Sequence, residues 1–233
     1  MKKNFTAISV VLDRSGSMNL TLESTITGFN EFVKTQKEAN IGECVLSLHQ
    51  FDDNYQTDYT FTPINEVPEL TTETFVPRGM TALHDAIGKT INELGVKLAS
   101  MAEDERPDSV IVAILTDGME NASKEFSSQK VNEMIREQTD TYNWEFVFLA
   151  ANQDAIATAS NYGIASGSAM TYAGNDLGTK AAFSSVGGSI SRRRGLRAAS
   201  YAGGASVSEA AEISKAHDFF TDEDRKTQSE AGA

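Results

Sequence analysis

Cysteine occurs once, at Cys44, which excludes an internal disulfide framework and a cysteine-rich metal site. Its neighbours Val45, Leu46 and Leu48 mark it as a core thiol rather than a nucleophile. Long apolar runs are missing as well, since no stretch approaches the roughly 20 apolar residues that span a bilayer. The opening Met1-Lys2-Lys3-Asn4-Phe5 has two lysines but no apolar h-region and no small-residue cleavage site. It is expected to lead into a strand rather than to act as a signal peptide, which makes a cytoplasmic protein without membrane contact the default. Positive charge is scarce: 20 bases stand against 33 acids, for a net charge of −13. That balance argues against a general nucleic-acid binder and against docking on an anionic membrane surface.

What is present is an ordinary globular composition, 40% hydrophobic and 23% charged over 233 residues, enough for one large domain or one domain plus an extension. Phe5 to Leu12 is nearly continuous in apolar character, as in a strand covered on both faces. Leu22, Ile26, Phe29, Phe32 and Val33 then share one side of a helix over Leu20 to Lys37, with Asn19 or Thr21 available to cap it. Alternation returns from Glu43 to Phe51, and Asp52-Asp53-Asn54 reads as a tight turn into a second strand, Tyr55 to Phe61. A loop punctuated by Pro63 and Pro68 leads to a helix carrying Leu83, Ile87, Ile91, Leu94 and Leu98. Ser109 to Leu115 is the most hydrophobic strand and is expected at the centre of the sheet. A helix over Ser127 to Thr139, a strand over Glu145 to Ala150, a short helix near Ala155 to Tyr162, a small strand at Ala169 to Tyr172 and a helix from Leu177 to Ser191 follow. This order predicts an α/β doubly wound, mostly parallel central sheet with one antiparallel edge strand and helices on both faces.

Ligands of such sheets bind beyond the carboxyl ends of the strands. Three polar loops begin there, at Asp13-Arg14-Ser15-Gly16-Ser17, at Arg78-Gly79-Met80-Thr81 and at Thr116-Asp117-Gly118. The first sets one carboxylate and two hydroxyls around a glycine, where oxygen ligands can converge on a hard cation such as Mg²⁺. Together the three loops resemble the metal-ion-dependent adhesion site of the von Willebrand factor A family, over a stretch from about Phe5 to Tyr172. By position, Asp13, Ser15 and Ser17 match that family's first-loop ligands, Thr81 the middle-loop hydroxyl and Asp117 the third-loop acid. The resemblance implies Mg²⁺, with Mn²⁺ or Ca²⁺ as alternatives, bound mainly through hydroxyls, with the aspartates acting directly or through water. Uncharged ligands leave such a cation electrophilic, so a protein partner's Asp or Glu carboxylate can complete its coordination. Phe146 to Asp154 further resembles the strand end of bacterial and bacteriophage members, and Asn152, Gln153 and Asp154 are either part of the rim or, at Asn152 or Asp154, a helix cap.

Some positions depart from the family pattern. Arg78-Gly79-Met80 replaces a Gly-Gly pair before the threonine, so that Met80 could narrow the site and Arg78 could pair with an acid of this chain or of a partner. His84 is read as a capping or packing group, Asp85 as a structural acid at a helix start, and Glu120 and Asn121 as solvated loop residues; in a lesser reading Glu120 approaches the metal. The leading expectation is a non-enzymatic, metal-dependent protein-interaction domain. The alternatives are an assembly subunit of a larger, phage-type particle and, behind it, a metal-dependent phosphohydrolase using Asp13. Against the hydrolase, Ser15 stands where a second acid would be expected, and no histidine or lysine is placed as a general base. The composition shifts after Ser191, which divides the chain into a von Willebrand factor A-like domain, 1–191, and a flexible or docking tail, 192–233. Within the tail Ser208 to His217 is a possible helix, and Phe219-Phe220 a docking pair. The Arg192–Arg197 cluster is read as neutralising the end of the preceding helix, ahead of phosphate contact or a protease-accessible junction.

Overall fold

The computed structural model describes residues 1–151 and 154–232. Among them, strands β1 (Lys2–Asp13), β2 (Glu43–Phe51), β3 (Tyr55–Pro63), β4 (Pro107–Thr116), β5 (Glu145–Ala151) and β6 (Ala169–Tyr172) form one sheet in the order β3-β2-β1-β4-β5-β6. Every neighbouring pair is parallel except the β2–β3 hairpin, which puts the antiparallel strand at one edge. The hydrophobic β4 is buried along its whole length and pairs with β1 at the middle of the sheet. Helices α1 (Leu22–Ala39), α2 (Leu83–Ala99), α3 (Ser128–Tyr142), α4 (Ala155–Asn161) and α5 (Asp176–Ala202) follow in chain order, with α6 (Val207–Lys215) and α7 (Asp222–Ala231) at the end.

The strand period of two divides the core between the faces. Ile8, Val10, Leu12, Ile111, Ala113, Leu115, Val147 and Leu149 pack with Phe29, Phe32 and Val33 of α1 and Phe183, Val186 and Ile190 of α5. Val11, Val112, Ile114, Phe146 and Phe148 pack with the α2 stripe of Leu83, Ile87, Ile91, Leu94 and Leu98 and with Val131, Met134 and Ile135 of α3. Each such side chain contributes about 1.5–3 kcal/mol when fully buried. Cys44 is buried in the first of these clusters, and burial pushes its thiol up to about 11. Asn40 and Asn143, both left-handed, end α1 and α3.

Two expectations from the sequence need correction at the ends of elements. A 3₁₀ turn, Gly16–Thr21, precedes α1, so the helix starts later than expected, and Thr21 makes no side-chain cap. More consequentially, α5 does not stop at Ser191; it runs to Ala202 and ends at Gly203-Gly204, with Gly204 at φ +90°. The expected boundary at 191/192 therefore falls inside a helix. Beyond it, residues 203–232 fold back. Phe219 and Phe220 are buried against α5 and the sheet, and α7 opens with a capping box between Thr221 and Asp224. Arg225 donates to the carbonyls of Ala169 (3.0 Å) and Ser166 (3.1 Å), which ties α7 to the start of edge strand β6.

The arginine cluster lies mid-helix rather than at a helix end. Arg194 donates to the Gln36 carbonyl (3.2 Å) and the Ile41 carbonyl (2.6 Å), so the helix terminus it satisfies belongs to α1. Arg193 and Arg197 are likewise buried, near Glu145 and Asp108, which leaves these three side chains turned inward rather than towards phosphates. Among the described residues no helix is long and apolar enough to cross a membrane.

Candidate metal centre

β1 delivers Asp13, fully buried, to the carboxyl edge of the sheet, where the chain turns sharply. Its Oδ1 accepts the Ser15 backbone N–H at 2.6 Å, closing the Asx turn that the Asp-x-Ser spacing encodes. Its Oδ2 accepts the Thr116 hydroxyl at 2.6 Å, which links the ends of β1 and β4. The Ser15 and Ser17 hydroxyl oxygens lie 3.2 Å apart, and Ser17 Oγ donates to Asp117 Oδ1 at 2.6 Å. Asp13, Ser15, Ser17 and Asp117 thus form one connected cluster of oxygens.

The middle loop is fastened to the first at two points. Arg78 N–H donates to the Arg14 carbonyl (2.8 Å) and Gly16 N–H to the Gly79 carbonyl (3.2 Å). Gly79 sits at φ +68°, and a Cβ there would meet Asp53 Oδ1 at 2.0 Å, so glycine is required. Thr81 is buried and clamped by Asn121, whose Oδ1 accepts the Thr81 N–H (2.9 Å) while its own N–H donates to the Thr81 carbonyl (3.0 Å). A Cβ on Gly118 would come within 2.8 Å of Thr81 Oγ1, which places that hydroxyl directly beside the third loop. The five residues picked out from the sequence therefore stand at one sheet edge.

Asp85 is a structural acid, as expected. It accepts backbone N–H groups of Lys124, Glu125 and Phe126 at 2.8–2.9 Å, and these bonds hold its carboxyl below the ordinary value despite the opposing effect of burial. Glu120 is not the solvated residue expected. It is half-buried and accepts from the N–H groups of His84, Ala122 and Ser123 and from the Ser123 hydroxyl, so its oxygens are committed to the loop. Asn121 is exposed, as expected, and also clamps Thr81. His84 packs, its ring edge-on to Tyr162 with Nε2 3.1 Å from the phenol oxygen. Asp154 caps α4 through the Ala157 N–H (2.9 Å), while Asn152 and Gln153 lie outside the described residues. Thr116 and Asn121 are the positioning groups that sequence reasoning missed. Thr116 was visible only as the residue before Asp117, and nothing local pairs it with Asp13, 103 positions away.

The electrostatics favour a cation. Burial raises Asp13 to about 6, more than its hydrogen bonds from Thr116 and Ser15 lower it, and nearby Asp117 adds to the rise. Asp117 is also raised by burial. Among the described residues neither acid pairs with a lysine, arginine or histidine. Arg14, although it follows Asp13, turns its Nε to Asp52 (3.1 Å) and an Nη to Gln56 (2.9 Å). The donor set is all oxygen, which suits hard cations. Adjacent ligands of an octahedral Mg²⁺ lie about 3.0 Å apart for metal–oxygen distances near 2.1 Å, close to the Ser15–Ser17 separation. Among the described residues no three His, Cys, Asp or Glu side chains gather at one point, so a cation held here would depend on the hydroxyls. On this donor chemistry the residues fit a divalent ion.

No protein-family model and no curated protein matches the chain by sequence. Solved structures do match it in shape. The ArnB paralog VWA2 from Sulfolobus acidocaldarius superimposes with a TM-score of 0.50 at 15% identity, covering 79% of this chain and 45% of that one. The chain has the von Willebrand factor A fold. Proximal thread matrix protein 1 from the mussel byssus, with a zinc-occupied MIDAS motif, shares this fold at a TM-score of 0.54 and 15% identity, over 82% of this chain and 46% of its own. The D319A mutant of the PilB minor pilin from Streptococcus sanguinis matches at 0.56 and 13% identity, over 86% and 64%. This von Willebrand factor A-fold chain thus spans between about half and two thirds of those proteins.

Proposed function

We propose that this chain is a non-enzymatic protein-interaction domain that works through a divalent cation, Mg²⁺ in the first instance. Asp13, Ser15, Ser17, Thr81 and Asp117 would hold it. The observation that carries the reading is the connected set formed by Asp13, Ser15, Ser17 and Asp117, in which one buried and one half-buried acid have hydroxyl neighbours and, among the described residues, no internal counter-charge. A bound cation would supply an open coordination position for the carboxylate of a partner protein. Thr116 keeps Asp13 oriented, Asn121 keeps Thr81 oriented, and the Gly16–Gly79 bond keeps the two loops in register. The mussel protein's zinc-occupied MIDAS motif supports the same use of this sheet edge.

Among the described residues the hydrolase alternative finds no histidine placed as a base at this edge. His49 sits within β2 against Tyr55 and Thr57, and His84 is held by Tyr162, so neither is free to move a proton at this edge. The assembly alternative drew on a free extension, whereas residues 203–232 pack on the domain itself. Titration of Mn²⁺ followed by electron paramagnetic resonance, with Mg²⁺ competition, tests the proposal. One site that disappears in Asp117→Ala with the melting temperature retained is the expected result; absence of saturable binding at millimolar Mn²⁺ would remove the proposal.

A further inference from the structure

Asp52 is completely buried just beyond the end of β2, and its Oδ2 receives two guanidinium groups, Arg14 Nε at 3.1 Å and Arg78 Nε at 2.9 Å. Its Oδ1 accepts the Asn54 N–H at 2.6 Å, so one acid is shared between two bases. Arg14 is buried and also bonded to Gln56. Arg78 differs: beyond Nε and its backbone N–H it makes no hydrogen bond among the described residues, and its side chain is 58% exposed. The Nη edge of its guanidinium is therefore open to solvent while Nε is anchored. This gives a fork whose direction is fixed before any partner arrives. With Asp53 Oδ1 against Gly79 the local count is two acids and two bases, and the open Nη edge of Arg78 is the exposed donor spot there.

That spot sits at the rim of the candidate cation site. Arg78 is hydrogen-bonded to Arg14, which stands between Asp13 and Ser15, and only Gly79 and Met80 separate it from Thr81. Three residue steps span at most about 10–11 Å. We infer that Arg78 is a second anchor for the partner: the recognised segment carries two carboxylates, one directed to the cation and one received by the Arg78 Nη edge in a paired, bidentate contact. An extended segment advances about 3.3 Å per residue, so the two acids stand two to four residues apart. The exposed Met80, between the two anchors, favours an apolar residue between the acids. This inference rests on the proposed cation-dependent binding.

The test is selection of a displayed random dodecapeptide library on the immobilised full chain in Mg²⁺, with elution by EDTA. Wild type is expected to enrich peptides with two acids two to four positions apart. Arg78→Gln is expected to enrich peptides with a single acid, and to bind the wild-type-selected peptide at least ten-fold more weakly and with less salt dependence. Arg78→Lys, which keeps the charge but not the fork, should fall between them. Mn²⁺ titration of both variants checks that the cation site and the fold survive. Single-acid peptides from wild type, or equal affinity in Arg78→Gln, would overturn the second anchor while leaving the cation site standing. No EDTA-eluted enrichment from wild type would remove the cation-dependent reading and the inference with it.

Discussion

Asp108 and Glu145 stand at the amino ends of β4 and β5, and Asp13 and Asp117 at the carboxyl ends of β1 and β4. At the amino edge the chain supplies its own cations. Arg197 donates to the Asp108 carbonyl at 3.0 Å and approaches the Asp108 carboxylate at 3.5 Å, Arg193 lies 3.5 Å from Glu145, and Tyr201 donates its hydroxyl to Asp108. At the carboxyl edge the acids meet hydroxyls and each other, and the adjacent arginine is diverted to Asp52. Buried charge without a partner is costly, so the first edge is closed within the molecule, and the second is the edge that the proposed cation would complete. One edge serves the fold; the other is the one proposed for binding.

Breaking the closed edge should have the largest effect. Arg197→Met leaves Asp108 and Glu145 buried with less compensation, and should lower the unfolding free energy by about 3–5 kcal/mol in urea melts without changing Mn²⁺ affinity.

The open edge should announce itself through pH. In chelator, Asp13 is raised from 3.8 to about 6, so its contribution is present at low pH and lost as pH rises through about 6; ionised and without a cation it costs about 3 kcal/mol. His49 is lowered by burial from 6.5 to about 4, so its contribution is present above 6.5 and lost as pH falls towards 4, again about 3 kcal/mol. These two contributions oppose each other over nearly the same window. Metal-free wild type should therefore change little between pH 4 and 6.5, whereas Asp13→Asn should lose stability steeply with acid. A steep loss in metal-free wild type as well would show that Asp13 is not strained by its burial.

Smaller changes sharpen the contrast. Thr116→Val removes the hydroxyl that orients Asp13 and should weaken Mn²⁺ binding about 10–100-fold, with a calorimetric titration as the measure. Thr221→Ala removes the cap of α7 and should cost about 1 kcal/mol in thermal melts while leaving cation affinity alone.

Much of this was legible in local pattern. The α2 stripe from Leu83 to Leu98, the buried run of β4 and the Asp52–Asn54 turn each follow from residue spacing, and they fixed the sheet order's ingredients without the structure. The tail was not legible, because α5 carries arginines where a helix interior facing a core would be apolar, and the pattern breaks at Ser191. Arg194 is acceptable there only because the carbonyls of Gln36 and Ile41 wait for it more than 150 positions earlier. The capping box at Thr221 and Asp224 was a readable signal that the acidic, flexible-looking composition of the tail obscured.

The sequence by itself determined which oxygens the three loops offer, since ligand type and the spacing of Asp13, Ser15 and Ser17 are local properties of a strand running into a turn. Only the tertiary structure decided what those groups lack. Whether Asp13 has a counter-charge depends on Arg14 turning to Asp52, and whether Arg78 is free depends on how much of its guanidinium Asp52 consumes. Those are competitions between residues far apart in the chain, settled by packing distances that no spacing along the chain encodes.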